Sequence, residues 1–99
     1  RPQRAAGALV VLLEGRLTAY VGRTGRRLTT FLADDEPQRS RDAERLAAAL
    51  AERASRRGSM LLEKVDGAGV ESSVLAGALS NAGFAATSRG YVHRTPRDA

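Results

Sequence analysis

The sequence predicts an α+β fold, with a mainly antiparallel sheet in the order βββ-α-β-α-ββ and two helices packed on one face. Short apolar runs end at glycine turns near both ends of the chain, which is typical of strands. A central segment has apolar residues at helical spacing. The 99 residues leave room for one compact domain, which we expect to span residues 8–94. Residues 1–7 are then a linker from an upstream region and residues 95–99 a frayed tail, because a chain that begins at Arg1 is interpreted as a piece of a longer protein.

The first third of the chain is predicted to form a three-stranded meander. The strands cover residues 8–13, 16–21 and 26–31, separated by turns at Glu14-Gly15 and at Gly22 to Gly25. Glycine tolerates the positive φ angles that such tight turns need. The first strand is apolar on both faces, so we expect it at the centre of the sheet, whereas the other two have one solvated face each.

A long helix is predicted after a polar connection at residues 33–39. Ser40 is expected as its N-cap, because a serine hydroxyl accepts a hydrogen bond from the first free backbone N–H groups. Asp42 and Glu44 place negative charge in the first turn, where the helix dipole favours it. Gly58 is expected to end the helix in the left-handed conformation. The apolar stripe has helical spacing and consists of Ala43, Leu46, Ala47, Leu50, Ala51 and Ala54.

Two further β segments are predicted in the second half of the chain. Residues 59–65 form a strand that ends at the Asp66-Gly67 turn. Residues 85–94 form a small hairpin with its turn around Ser88, Arg89 and Gly90.

A second helix is predicted between these segments. Ser72 or Ser73 is expected to cap its start, and Gly83 to end it, with Phe84 folding back onto the helix. Gly77 lies in the helix interior, where glycine costs about 1 kcal/mol relative to alanine. We therefore expect a close approach between helix and sheet at this position.

Composition excludes several classes of protein. The chain has no cysteine, which excludes disulfides, thiolate metal sites and cysteine nucleophiles. The longest apolar run, residues 8–13, is far shorter than the roughly 20 residues of a membrane-spanning helix. No signal-peptide pattern is visible. We therefore expect a cytoplasmic protein with no membrane partner.

No motif in the sequence predicts a catalytic, metal or cofactor site. The single histidine, His93, has no second histidine or cysteine with which to share a metal. No serine lies in a Gly-x-Ser-x-Gly context. The acidic run at residues 34–36 lies in an extended loop that splays its carboxylates apart. Gly22 to Gly25 links two strands, whereas a P-loop runs into Gly-Lys-Ser/Thr at a helix start. We therefore expect no cofactor within these 99 residues.

Positive charge is the remaining functional signal. The formal net charge is +5, and 15 of the 16 basic residues are arginine. Arginines cluster at the second turn, at the end of the first helix and at the last hairpin, and these loops would form one phosphate-binding surface if they gather at one end of the sheet. The alternative is that the charges only solvate turns and helix ends. The candidate nucleic-acid contacts are Arg23, Arg26, Arg27, Arg56, Arg57, Arg89 and, as a stacking side chain, Tyr91, with Arg53, Arg94 and Tyr20 nearby.

Four stretches of the chain resemble the C-terminal end of Lhr-type proteins, the large helicase-related family of superfamily 2. They are residues 7–21, 26–31 and 62–67, and the segment from Ala82-Gly-Phe84 to Arg89-Gly-Tyr91. The shared pattern is an apolar strand with a residue-Gly turn, a basic stretch, an alanine-rich helix, a "Val-Asp-Gly" strand end and a closing "Ala-Gly-Phe…Arg-Gly" segment. Each string is made of common residues, and their order and spacing over residues 5–94 carry the resemblance.

The resemblance implies a parent protein that is an ATP-dependent 3'-5' DNA helicase acting in DNA repair. Its ATP and magnesium would bind to motifs of an N-terminal core that have no counterpart in this chain. The chain would then be a non-catalytic C-terminal accessory module that contributes contacts with single-stranded or duplex DNA, or packing against upstream modules or in a homo-oligomer. The acidic, proline-containing loop from Asp34 to Arg39 departs from the family pattern.

Two other interpretations stay open at this point. A free-standing RNA-binding or ribosome-associated α+β domain would have a similar element order and a basic surface. A purely structural interaction module would carry the same charge without using it.

Overall fold

The computed structural model describes residues 9–22 and 24–94. The predicted linker at residues 1–7, the tail at residues 95–99 and the candidate Arg23 lie outside this part of the chain. No helix within it is both long and apolar enough to cross a membrane.

The first three strands form the predicted meander. They are β1 (Leu9–Leu13), β2 (Arg16–Val21) and β3 (Arg27–Thr30), each antiparallel to the next. Glu14 and Gly15 both have positive φ, at 55° and 79°, as a two-residue hairpin turn requires.

The predicted strand at residues 59–65 is divided between two sheets. Its first part, β4 (Ser59–Leu62), and its second part, β5 (Lys64–Val65), are separated by Glu63, and β5 turns at Asp66-Gly67 into β6 (Ala68–Gly69). The first sheet has the order β1-β2-β3-β5-β6, with β3 and β5 parallel. The second sheet has the order β4-β8-β7 and is antiparallel, where β7 is Ala85–Thr87 and β8 is Gly90–Arg94.

The long helix α1 (Gln38–Arg57) packs against strands of both sheets and joins them. Its apolar stripe is buried as predicted, with Leu46, Ala47 and Leu50 at 0% exposure. Gly58 ends it at φ 96°, also as predicted. The predicted N-cap Ser40 is wrong, because α1 begins two residues earlier, at Gln38. The Ser40 N–H instead donates to the Glu36 carboxylate at 3.0 Å, which satisfies one of the free N–H groups of the first turn.

The second helix is shorter than predicted. A 3₁₀ turn at Val70–Ser72 precedes α2 (Ala76–Asn81). The Ser73 hydroxyl accepts a hydrogen bond from the Leu75 N–H at 3.0 Å. Behind α2, the Phe84 N–H donates to the Leu79 carbonyl and the Gly83 N–H to the Ser80 carbonyl, at 2.9 and 3.2 Å. This is the predicted Schellman closure.

The fold class, the antiparallel character and the order of elements are thus confirmed, apart from the additional short strand β6, and three further differences concern packing. The strands form two sheets, because the chain crosses from one to the other at Glu63. Strand β1 lies at an edge of the first sheet and not at its centre. Gly77 makes no close approach, since a Cβ at this position would meet nothing within 4 Å.

Candidate nucleic-acid interface

A cleft of about 300 Å³ lies between the two sheets at the C-terminal end of α1. We call it the basic cleft. Three arginines line it, together with polar backbone of the β2–β3 turn: Arg26, Arg53 and Arg57, with Gly22, Thr24, Gly25 and Ser59–Leu61 of β4. Among the described residues of its lining, none is acidic.

Local structure explains why these arginines meet. The β2–β3 turn is closed by the Gly25 N–H, which donates to the Gly22 carbonyl at 2.9 Å. The Arg26 carbonyl then accepts hydrogen bonds from the N–H groups of Glu63 and Lys64, at 2.8 and 3.2 Å, and these bonds fix the turn beside the end of β4. Because α1 ends at Gly58 directly before β4, its last two turns lie on the other side of the same cleft.

The charge of the basic cleft is largely uncompensated. Within residues 9–22 and 24–94, no carboxylate forms an ion pair with Arg53 or Arg57. Arg26 has only a long contact with Glu63, at 3.7 Å, with half of its side chain exposed. Exposed pairs of this length contribute little to stability, so all three guanidinium groups are available to an anion.

The predicted candidates are distributed over several surfaces. Arg26 and Arg57 lie together in the basic cleft, with Arg53. Arg89 lines a neighbouring cleft and approaches Glu63 at 3.9 Å. Arg27 and Arg56 are exposed and line neither cleft. Arg56 contacts Glu52 at 3.4 Å.

Tyr91, predicted as a stacking side chain, does not lie on an exposed surface of the structure. Its side chain is only 9% exposed and belongs to the hydrophobic core. In the register of the second sheet it is opposite Leu62, which is fully buried. Since alternate residues of a strand face opposite sides, Tyr91 faces the core and its neighbour Val92 faces outward.

The acidic loop and the first turns of α1 have structural roles. Glu36 accepts hydrogen bonds from Ser40, which lower the pKa of its carboxyl group. Asp42, predicted to place negative charge in the first turn of the helix, lies beyond that turn, is completely buried and accepts three hydrogen bonds, from Gln38, Arg16 and Ala33. In the described part of the chain, no group of three or more metal-ligating side chains is assembled.

His93 lies on β8 with its ring against Phe84, at a centroid distance of 5.1 Å in an edge-to-face arrangement. Its Nδ1 is buried and has no hydrogen-bond partner among the described residues. The histidine is therefore part of the packing behind the second sheet rather than of the basic cleft.

Comparison with known proteins gives one relevant similarity. The chain is 40% identical over 99 aligned residues to a segment of a protein from Mycolicibacterium smegmatis (strain ATCC 700084 / mc(2)155) named "Lhr helicase/ probable uracil glycosylase". The similarity covers 91% of this chain but only 6% of that protein. No protein-family profile matches the chain.

Proposed function

Since this chain corresponds over nearly its whole length to a segment of an Lhr-type helicase, we propose that it is a non-catalytic accessory module of such a helicase that contacts nucleic acid through the basic cleft. One observation carries the proposal. Arg26, Arg53 and Arg57, from two separate elements, line one cleft whose described lining contains no acidic residue.

Phosphate oxygens are the groups that such a cleft recognises. Guanidinium groups donate several hydrogen bonds in a fixed geometry, and the bonds are strengthened by the opposite charges. The C-terminal end of the α1 backbone does not attract an anion, because a helix C-terminus carries partial negative charge. Binding must therefore depend on the arginine side chains and not on the helix backbone, which makes the proposal testable by substitution.

The role in the parent protein is part of the same proposal. We place the module at the C-terminal end of an ATP-dependent 3'-5' DNA helicase that acts in DNA repair in the cytoplasm. ATP and magnesium then bind to upstream motifs, because this sequence contains no Gly-Lys-Ser/Thr. We assign neither activity in the relative's name to this segment, which spans 6% of that protein.

A second candidate function is packing against another module or a second copy of the chain. It is favoured by Phe31 and Val74, which are 46% and 47% exposed and line a different cleft of about 620 Å³. Large exposed apolar side chains that share a cleft often mark contact sites. Such a contact leaves the basic cleft free, so the two functions are compatible.

The test is salt-dependent binding of the 99-residue chain to fluorescent single-stranded DNA, duplex DNA and RNA. We compare Arg53→Ala/Arg57→Ala with Arg41→Ala/Arg45→Ala, which removes two arginines from the other end of the same helix. Each lost phosphate contact lowers the slope of log affinity against log salt by about 0.7 to 0.9. We expect the first double variant to lose slope and the second to keep it.

Equal losses in both double variants, or binding that does not respond to salt, would contradict the proposed interface. Binding restricted to RNA would favour the RNA-binding alternative over a DNA helicase module. Circular dichroism of each variant verifies that the fold is retained.

A further inference from the structure

The outer face of the second sheet is partly exposed to solvent and carries positive charge from arginine side chains. Register pairs Ser59 with Arg94 and Leu61 with Val92, so these four side chains share one face. The opposite face carries Leu62 and Tyr91 and is buried. The described residues place neither helix on the outer face, where Leu61 and Val92 remain half-buried.

A second cleft, of about 360 Å³, lies on this face. We call it the outer cleft. Its floor is Leu61 and Val92, and Arg89 and Arg94 lie at its rim beside the hydroxyls of Thr87 and Ser88. As in the basic cleft, the lining residues that the structure describes include no carboxylate.

The two clefts have one wall in common. Ser59, Met60 and Leu61 line both of them. These residues belong to β4, which is the edge strand of its sheet, so β4 separates the clefts by the width of a single strand. A ligand that passes over β4 meets arginines on both sides of it.

We propose that one unpaired nucleic-acid strand crosses β4. Its phosphates contact Arg53 and Arg57 on one side and Arg89 and Arg94 on the other, while its bases pack against Leu61 and Val92. This inference rests on the proposed function and names the substrate class of the same site. Apolar floor residues in a cleft of this size can contact splayed bases, whereas a duplex keeps its bases stacked inside and offers only its sugar-phosphate surface.

Glu63 lies at the junction of the two clefts. Its Oε2 is 3.7 Å from Arg26 and 3.9 Å from Arg89, one arginine from each cleft. A phosphate that binds there competes with this carboxylate for both guanidinium groups. Glu63→Gln is therefore expected to increase affinity for a single strand.

The test is a length series of single-stranded oligonucleotides, from about 4 to about 16 nucleotides, the range of site sizes of small single-strand-binding domains. An oligonucleotide that is long enough to reach both clefts binds much more tightly than a shorter one, because its second contact is intramolecular. We expect this gain in the wild-type chain and in Arg41→Ala/Arg45→Ala. We expect Arg89→Ala/Arg94→Ala to abolish it.

The experiment distinguishes two failures: that the strand does not cross β4, and that the basic cleft does not bind nucleic acid at all. If Arg89→Ala/Arg94→Ala keeps the full length dependence while Arg53→Ala/Arg57→Ala loses affinity, the basic cleft binds nucleic acid but the strand does not cross β4. If neither double variant changes affinity for any oligonucleotide, the proposed function fails as well. Val92→Thr preserves side-chain shape on the strand, and unchanged single-strand affinity in this variant would contradict base contact with the floor.

Discussion

Arg16, at the start of β2, donates a hydrogen bond from Nη2 to Oδ1 of Asp42 on α1, at 2.9 Å. The same carboxylate accepts hydrogen bonds from the side chain of Gln38 and the N–H of Ala33, at 2.8 and 2.9 Å. Asp42 has 0% exposure, whereas the Arg16 side chain is 45% exposed. One buried carboxylate therefore links the first sheet, the acidic loop and the long helix.

Replacing Asp42 by alanine should destabilise the fold by about 2 to 3 kcal/mol. The Ala33 N–H, the Gln38 amide and the Arg16 guanidinium would lose their acceptor, and a hydrogen bond to a charged group contributes about 1.5 to 3 kcal/mol. Urea unfolding of the 99-residue chain measures the change. Glu44→Ala is the matched control, because Glu44 is an exposed carboxylate two residues further along the same helix, and a change within about 0.5 kcal/mol is expected. Equal effects of the two substitutions would contradict the role of Asp42.

The contribution of Asp42 should also depend on pH. The hydrogen bond from Gln38, with smaller contributions from Arg16 and Ala33, lowers the pKa of Asp42 from 3.8 to about 2 against the opposing effect of burial. Because the folded pKa lies below the unfolded one, the stabilisation is complete above about pH 5 and is lost as the pH falls toward about 2. The stability difference between wild type and Asp42→Asn should therefore shrink between about pH 5 and about pH 2. A difference that is constant over this range would contradict the assignment.

The N-terminus of α1 could be predicted only in part from the sequence. The stripe from Ala43 to Ala54 and the stop at Gly58 follow from spacing and residue type alone. Ser40 has the right residue type for a cap, but the Glu36 carboxylate accepts its N–H and the helix starts earlier. Asp42 lies four residues before Leu46, on the buried face of α1, but its partner Arg16 is 26 residues away in sequence. Helix spacing and capping preferences consider only neighbouring residues, so they contain no information about such a distant partner.

Substitution of Gly77 and of Gly90 by alanine should change the stability of the fold in opposite directions. Gly90 has φ 143°, and a Cβ there would overlap the Leu62 carbonyl oxygen and lie 3.0 Å from the Glu63 Cα. Gly90→Ala should destabilise the chain by about 1 to 3 kcal/mol, because the backbone conformation is strained for alanine and the neighbour is rigid backbone. Gly77 is helical and open, so Gly77→Ala should stabilise by about 0.5 to 1 kcal/mol. Thermal or urea unfolding of both variants measures the signs, and destabilisation by Gly77→Ala would indicate an unseen close contact.

The candidate interface was predictable only in part. Composition and clustering indicated arginines at the turns and at the end of α1, and Arg26 and Arg57 do lie in one cleft. The sequence could not predict that Arg57 lines the cleft while its neighbour Arg56 does not, because consecutive side chains of a helix point in different directions. It also could not show that Tyr91 is buried, because strand alternation gives two faces without saying which one is covered by α1.

The most direct test of the basic cleft as the nucleic-acid interface is an NMR titration of the 99-residue chain with a single-stranded oligonucleotide, followed by backbone amide shifts. We expect the largest shifts on the turn Gly22 to Arg26, on the last turn of α1 and on β4, and no change in the first turns of α1 around Arg41 and Arg45. Shifts concentrated around Arg41 and Arg45 would contradict this by indicating a different site, and shifts spread evenly over all exposed arginines would contradict it by indicating that the positive charge of the chain acts without a defined site.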